Sequence, residues 1–274
     1  MAKMLERIVV PIDASDASLA ALGPARKLAD SIGGELVAVT VVAKPGDRGR
    51  AETEIDQRVA SFGVPVDRTE VTVNGYTIGQ GLEVVTHQPE VLVVMATETH
   101  SRNLAITGSV AEELVHARPD ALTILVGPGT DVDGFDPSGP VVACVDPERP
   151  SARVRAFARR LAGELSTEAI EVSVVIEEAA SAGPRTHGGS PNRSDRPHRA
   201  PRSDRSVGST LRTVVGHGSD PAASIVEFGD RVGASILAVG TRPRVGLSRM
   251  VFGSVAIETV RTAHCPVLAV SDVA

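Results

Sequence analysis

The residues best placed to do chemistry lie where apolar runs of the second half end. Asp146 closes Val141-Val142-Ala143-Cys144-Val145, and Gly240 ends Ile236-Leu237-Ala238-Val239. After Gly240 come Thr241, Arg242, Pro243, Arg244, Gly246 and Arg249, and then Gly253-Ser254-Val255 opens a helical pattern. A helix N-terminus offers unpaired N–H groups and a positive dipole end, which suit phosphate. Gly253 lets a ligand approach the backbone, the Ser254 hydroxyl can donate, the Val255 N–H joins the same helix start, and the three arginines add positive charge. Each residue also has an ordinary structural reading: Ser254 as N-cap, Gly253 as turn residue, the arginines as solvated surface. A strand-end acid, a strand-end glycine and three arginines converging on one predicted crevice favour the anion-binding reading.

The elements that position these residues follow from a repeat. Ile8-Val9-Val10-Pro11-Ile12-Asp13 is echoed by Val141–Asp146, and Val91–Thr97 by Ile236–Thr241. Gly108-Ser109-Val110-Ala111 recurs letter for letter as Gly253–Ala256, and Thr123–Val126 is answered by Pro266–Ala269. Matched blocks in one order indicate a tandem duplication. The expected copies are 1–128 and 139–274, joined by a Gly-, Pro- and Asp-rich linker. Copy one predicts strands at 6–12, 35–42, 64–73, 90–96 and 121–126, with helices at 15–31, 50–61, 78–88 and 109–116. Copy two predicts strands at 140–145, 169–176, 211–216, 235–239 and 266–271, with helices at 151–163, 221–231 and 254–262. Alternating strands and helices imply right-handed βαβ units and two doubly wound, parallel five-stranded sheets. Ligands bind such sheets at the carboxyl ends of the strands where the winding reverses, here between strands one and four. Asp146 and Gly240 then share a crevice, and Asp13 and Ala96 share its counterpart. The fifth strands are apolar edges, and the duplication predicts that they pair with each other as an intramolecular pseudo-dimer.

Where copy one has its second helix, copy two has residues 179–208, with six Arg, two Asp, two His and many Pro, Gly and Ser. That composition predicts a disordered, solvated insertion, with pairing to an acidic partner or a phosphate as the alternative. The 274 residues are 42% hydrophobic but only 2% aromatic, so the cores must be Val, Ile, Leu and Ala, as in a covered parallel sheet. The net charge of −6 argues against a broad nucleic-acid-binding face. No apolar run is long enough to span a membrane, and residues 1–7 lack the apolar region of a signal peptide, so a cytoplasmic protein is expected. Cys144 and Cys265 fall in predicted buried strands and read as core residues. The seven histidines show no ligand spacing, and no metal site is expected. No Gly-x4-Gly-Lys-Ser/Thr loop and no Gly-x-Ser-x-Gly elbow occurs, and Gly79-Gln80-Gly81 lacks the third glycine of a dinucleotide fingerprint.

With these residues in view, each half resembles a universal stress protein domain. The resemblance covers the chain except the linker and residues 179–208. It implies a Rossmann-like fold of the adenine nucleotide alpha hydrolase-like type and a nucleotide motif of Gly, two residues, Gly, nine residues, Gly-Ser/Thr. Copy two keeps the spacing with Gly240, Pro243 and Gly253-Ser254, and Asp146 matches the acid that contacts the nucleoside. The resemblance thus implies ATP, alone or with Mg, in the crevice of copy two, wrapped by residues 240–255. Pro243 replaces the second glycine and lacks an N–H, so one phosphate contact is absent; Gly246 supplies flexibility nearby. Copy one has Ala96 and Thr99 for the two glycines and Glu98 near the phosphates, but keeps Asp13 and Gly108-Ser109-Val110, and so implies a weaker site. The expected role is a nucleotide-responsive module in stress adaptation with an unidentified protein partner. The alternatives are a nucleotide-free interaction module and a slow ATPase or phosphoryl carrier, against which stands the lack of a recognisable base or metal-carboxylate pair.

Overall fold

A computed structural model describes residues 5–87, 90–97, 109–146, 151–177, 209–217, 220–241 and 253–271. The chain runs β1 (Arg7–Pro11), α1 (Asp16–Leu19), α2 (Leu22–Ile32), β2 (Glu35–Val42), α3 (Arg48–Phe62), β3 (Arg68–Val73), α4 (Ile78–Val85), β4 (Val91–Ala96), α5 (Ser109–Ala117) and β5 (Leu122–Val126). It continues as β6 (Val141–Val145), α6 (Ala152–Glu164), β7 (Ala169–Glu177), β8 (Ser209–His217), α7 (Pro221–Val232), β9 (Ile236–Thr241), α8 (Ser254–Thr262) and β10 (Val267–Ser271). The expected insertion, 179–208, lies outside the described residues.

Local chemistry explains where these elements start and stop. The single helix expected over 15–31 is two helices. Pro24 cannot donate to the carbonyl of Ala20, four residues back, and its ring crowds that carbonyl, so the helix breaks there. Ser15 caps α1, accepting from Ser18 N, and Gly33 ends α2 with a left-handed φ of 58°. β3 begins at Arg68 rather than 64 because Pro65 brings no N–H to the ladder.

The ten strands of the described residues form one sheet in the order β3-β2-β1-β4-β5-β10-β9-β6-β7-β8. Pairing within each half is parallel, and the halves meet through antiparallel β5 and β10, as the duplication predicts. Leu268 lies opposite Ile124, with Val267 opposite Leu125 and Ala269 opposite Thr123. The Thr97 and Thr241 hydroxyls donate to the carbonyls of Val126 and Val270 respectively, so those valines are equivalent. Counting back makes Ile124 equivalent to Leu268 and Thr123 to Val267, which corrects the sequence match of Thr123–Val126 with Pro266–Ala269 by one residue. The pseudo-twofold axis therefore passes between Ile124 and Leu268.

Successive strand residues point to opposite faces, and both faces are covered. Ile8, Val10, Leu36 and Ala38 pack with α2, α3 and α6 on one side. Val9, Val37 and Val39 pack with α4, α5, α7 and α8 on the other. This accounts for strands that read as unbroken apolar runs. The segment after β5 is fixed rather than slack. Phe135 is buried, Lys27 Nζ donates to the carbonyls of Asp133 (2.6 Å) and Phe135 (2.9 Å), and Asp131 N donates to the carbonyl of His264. Arg153 of α6 spans the two halves, donating to the carbonyls of Ser271 (2.9 Å) and Pro119 (2.8 Å) and to Asp120 Oδ1 (3.1 Å).

Candidate functional site

In copy two, β6 and β9 are neighbours, and the chain leaves them in opposite directions, toward β7 and β10. This is the reversal point expected from the sequence. Their ladder runs from Val141↔Ile236 to Cys144↔Val239 and stops. Val145, Asp146, Gly240 and Thr241 therefore lie beyond the last paired residues, where the strands part. Asp146 is half-buried directly after β6, and Gly240 is half-buried in β9. Arg242, Pro243, Arg244, Gly246 and Arg249 lie outside the described residues.

Gly253 opens α8 with φ −62° and ψ 154°, values open to any residue, and it is the N-cap. Ser254 is the first helical residue and is exposed, so the reading of Ser254 as N-cap is corrected. As N-cap, Gly253 has no side chain with which to cap α8, whereas Ser151 caps α6 and Asp220 caps α7. A Cβ built on Gly253 would meet nothing within 4 Å. Neither its own conformation nor its described neighbours require glycine here. No described residue occupies the space that a side chain at 253 would fill, at the start of α8, and that space fits a group such as phosphate. The second strand adds a residue that sequence reasoning missed. Ser173 of β7 is opposite Val145, is 7% exposed, and its Oγ has no hydrogen-bond partner. Thr40, at the same position of copy one, donates to the carbonyl of Ile12 at 2.7 Å.

Copy one has the same split. β1 pairs with β4 only from Arg7↔Val91 to Val9↔Val93, but with β2 as far as Pro11↔Val39. The Ile12 N–H follows β2, donating to the carbonyl of Val39 at 2.8 Å. At these strand ends lies a cavity of about 150 Å³ lined by Ile12, Asp13, Thr40, Val42, Glu54 and Arg58, among others. Its outer wall is α3, of which only Ile55 and Val59 are buried. Asp13 Oδ1 accepts from Ser15 N (2.8 Å) and Ser15 Oγ (2.7 Å), which fixes the carboxylate over the start of α1. Arg58 Nη2 donates to the carbonyl of Ser15 at 2.7 Å, while its buried Nε has no partner. The Glu54/Arg58 spacing, one helical turn apart and flanking Ile55, was the available sequence signal for this wall. Gly108 lies outside the described residues; Ser109 and Val110 begin α5.

The other candidates resolve as structure. Gly79 and Gly81 serve close packing: a Cβ on Gly79 would lie 2.4 Å from the Glu113 carboxylate, and one on Gly81 would lie 2.5 Å from Val41. Thr77 Oγ1 donates to Glu113, tying α4 to α5. Cys144 lies in β6, but Cys265 lies in the turn before β10 rather than in a strand. Each cysteine is half-buried by surface area, yet both sit against the apolar side chains of the second core layer. Burial pushes both thiols up, Cys265 to about 12, so neither is a ready nucleophile at neutral pH. His264 Nδ1 contacts Asp230 on the surface at 3.0 Å. Among the described residues no three His, Cys, Asp or Glu side chains form a metal-binding group, and no helix is long and apolar enough to cross a membrane.

The fold and its split strand ends define a doubly wound α/β protein built twice in one chain. The sequence profile of the universal stress protein family matches residues 138–271. A universal stress protein of Methanocaldococcus jannaschii is 46% identical over 50 residues, a match covering 18% of this chain and 29% of that protein. Two solved structures share the fold over nearly the whole chain. A universal stress protein from Archaeoglobus fulgidus DSM 4304 has a TM-score of 0.57 at 15% identity, covering 97% of this chain and 98% of its own. A putative universal stress protein from Pseudomonas aeruginosa UCBPP-PA14 has a TM-score of 0.55 at 16% identity, covering 98% and 94%. The second half of the chain, residues 138–271, belongs to the universal stress protein family.

Proposed function

We propose that this protein binds ATP at the carboxyl ends of β6 and β9 and acts as a nucleotide-responsive module in stress adaptation. The observation that carries this reading is Gly253. It heads a helix without offering a side-chain cap, its backbone angles are ordinary, and no described residue lies within 4 Å of where its Cβ would be. A glycine that no described residue requires, at the start of a helix, is accounted for by a ligand that comes close to the backbone. Asp146 stands at the neighbouring strand end for the nucleoside, and the unpartnered Ser173 hydroxyl faces the same end of the sheet. Arg242, Arg244 and Arg249 supply charge for the triphosphate, with Mg as its companion ion. Copy two, 139–274, is the tighter site; copy one, 1–128, has lost the glycines of the phosphate loop.

Mass spectrometry of protein purified without added nucleotide should find ATP. Calorimetric titration should show that Gly253→Val and Asp146→Ala each weaken ATP binding at least about tenfold, one charge-assisted hydrogen bond's worth. Gly108→Val and Asp13→Ala should matter less. Equal losses in both copies would refute the asymmetry. Absence of ATP binding by the unmutated protein would replace this reading with a nucleotide-free interaction module.

A further inference from the structure

Arg153 joins three elements around the split strand ends of copy two. It is the second residue of α6, whose N-cap is Ser151, and residues 147–150 connect that cap to Asp146. The start of α6 therefore holds one end of the short connection that leaves Asp146. The Arg153 Nε–H donates to the carbonyl of Ser271 at 2.9 Å. Ser271 lies opposite Thr241, the neighbour of Gly240 at the end of β9. Nη2 donates to the Pro119 carbonyl at 2.8 Å and to Asp120 Oδ1 at 3.1 Å, in the turn between α5 and β5 of copy one. The guanidinium also lies over the Phe157 ring, 5.5 Å from its centroid. A planar fork of donors fixes the spacing of the groups it bonds. One side chain thus sets the Asp146 side of the crevice against the Gly240 side, and both against the other half of the chain. Copy one has no such tie. Gly33 and Ser166 end the first long helix of each copy alike, with φ of 58° and 55° and N–H groups donated to the carbonyls of Asp30 and Gly163. Matching those two residues puts Arg153 where copy one has Ala20, which has nothing to donate.

Resting on the nucleotide-binding reading above, we propose that Arg153 is a positioning residue for the copy-two site, and that through it ATP affinity in copy two depends on the α5–β5 turn of copy one. Arg153 acts through the start of α6 and the end of β10 rather than on the ligand. With the fork in place, the elements on either side of the crevice stand at a fixed spacing before the ligand arrives. Without it, binding has to order them, and affinity falls. The dependence runs one way, because Ala20 gives copy one no matching link to copy two.

The test uses the full chain carrying Asp13→Ala, which weakens the copy-one site and leaves copy two to report. ATP is titrated by calorimetry well below the melting temperature, which is measured for each variant. Arg153→Met removes the donors, and Arg153→Lys keeps the charge but not the fork. Each should weaken ATP binding at least about fivefold, the low end of coupling between sites. Asp120 belongs to the other half and its side chain is 84% exposed, so Asp120→Ala carries little risk to the fold. It should weaken ATP binding by a smaller factor, because the Pro119 carbonyl still accepts, and should add nothing in the Arg153→Met background. Charge alone predicts the opposite sign, since loss of a carboxylate favours an anionic ligand. Coupling is reciprocal, so the Arg153 Nε–H resonance should shift as ATP saturates copy two. Three results would each overturn the proposal: Arg153→Lys binding ATP like its parent, Asp120→Ala binding it as tightly or more tightly, or an Nε–H resonance that does not move. If ATP still binds in those cases and Asp146→Ala still weakens it, the nucleotide reading stands and only this inference fails. If the unmutated chain binds no ATP, both fail.

Discussion

Thr123→Val should make this protein more stable. Thr123 lies in β5 at the joint between the two halves and is 0% exposed. Its hydroxyl has no hydrogen-bond partner. Its neighbours across the strands, Val93 and Ala269, are both apolar. A buried hydroxyl without a partner costs about 1–3 kcal/mol. Valine has the same branched shape, so the change exchanges the hydroxyl for a methyl with little repacking. The pseudo-twofold supplies an internal control, because the equivalent residue of copy two is Val267, which is 0% exposed in the matching position. The expected gain is about 1–2 kcal/mol. For a chain of this order, that raises Tm by roughly 2–4 °C per kcal/mol. Guanidinium unfolding should show a higher midpoint with an unchanged slope. The reciprocal change, Val267→Thr, should lose about 1–3 kcal/mol. A Thr123→Val variant less stable than the parent would show that the hydroxyl is bonded in solution and would refute the reasoning.

Two further stability predictions follow from the same structure. Asp67 accepts from Leu36 N (2.7 Å) and pairs with Arg26 (2.9 Å), and these bonds, the backbone one foremost, hold its carboxyl below the usual range. A depressed folded-state value means stability that is present above the ordinary carboxylate pKa and lost as pH falls through the lower folded value. Asp67→Asn should therefore cost stability at neutral pH, about 1 kcal/mol after allowance for its half-exposed side chain, and should flatten the acid limb of the stability profile below about pH 4; identical acid limbs in parent and variant would contradict this. At Gly127, a Cβ would fall 1.8 Å from the carbonyl oxygen of Val260, so Gly127→Ala must push the linker off α8 and should cost about 2 kcal/mol or more in thermal unfolding; a neutral result would show that the linker moves freely there.

The sequence by itself determined the repeat, the order of the strands and helices, and the point where the sheet reverses its winding. Those follow from local patterns: apolar runs such as Val91–Ala96, helix stops such as Gly33, and blocks that recur in order. It also put Asp146 and Gly240 at one crevice, because in a doubly wound sheet the connectivity alone sets which strand ends are neighbours. The tertiary structure decided what depends on contacts between residues distant in sequence. The break between α1 and α2 was readable in retrospect from Pro24, since the cause is local. The tight linker was not, because Lys27, Phe135 and His264 come together only when both halves have folded. The axis between Ile124 and Leu268 needed the β5–β10 register. The wall of copy one was hidden for the same reason: Glu54 and Arg58 look like two charges on a solvated helix until β1, β2 and α3 bring them around Asp13. Burial is a property of the assembled layers, so neither the unpartnered Nε of Arg58 nor the hydroxyls of Thr123 and Ser173 could be known before the sheet was built.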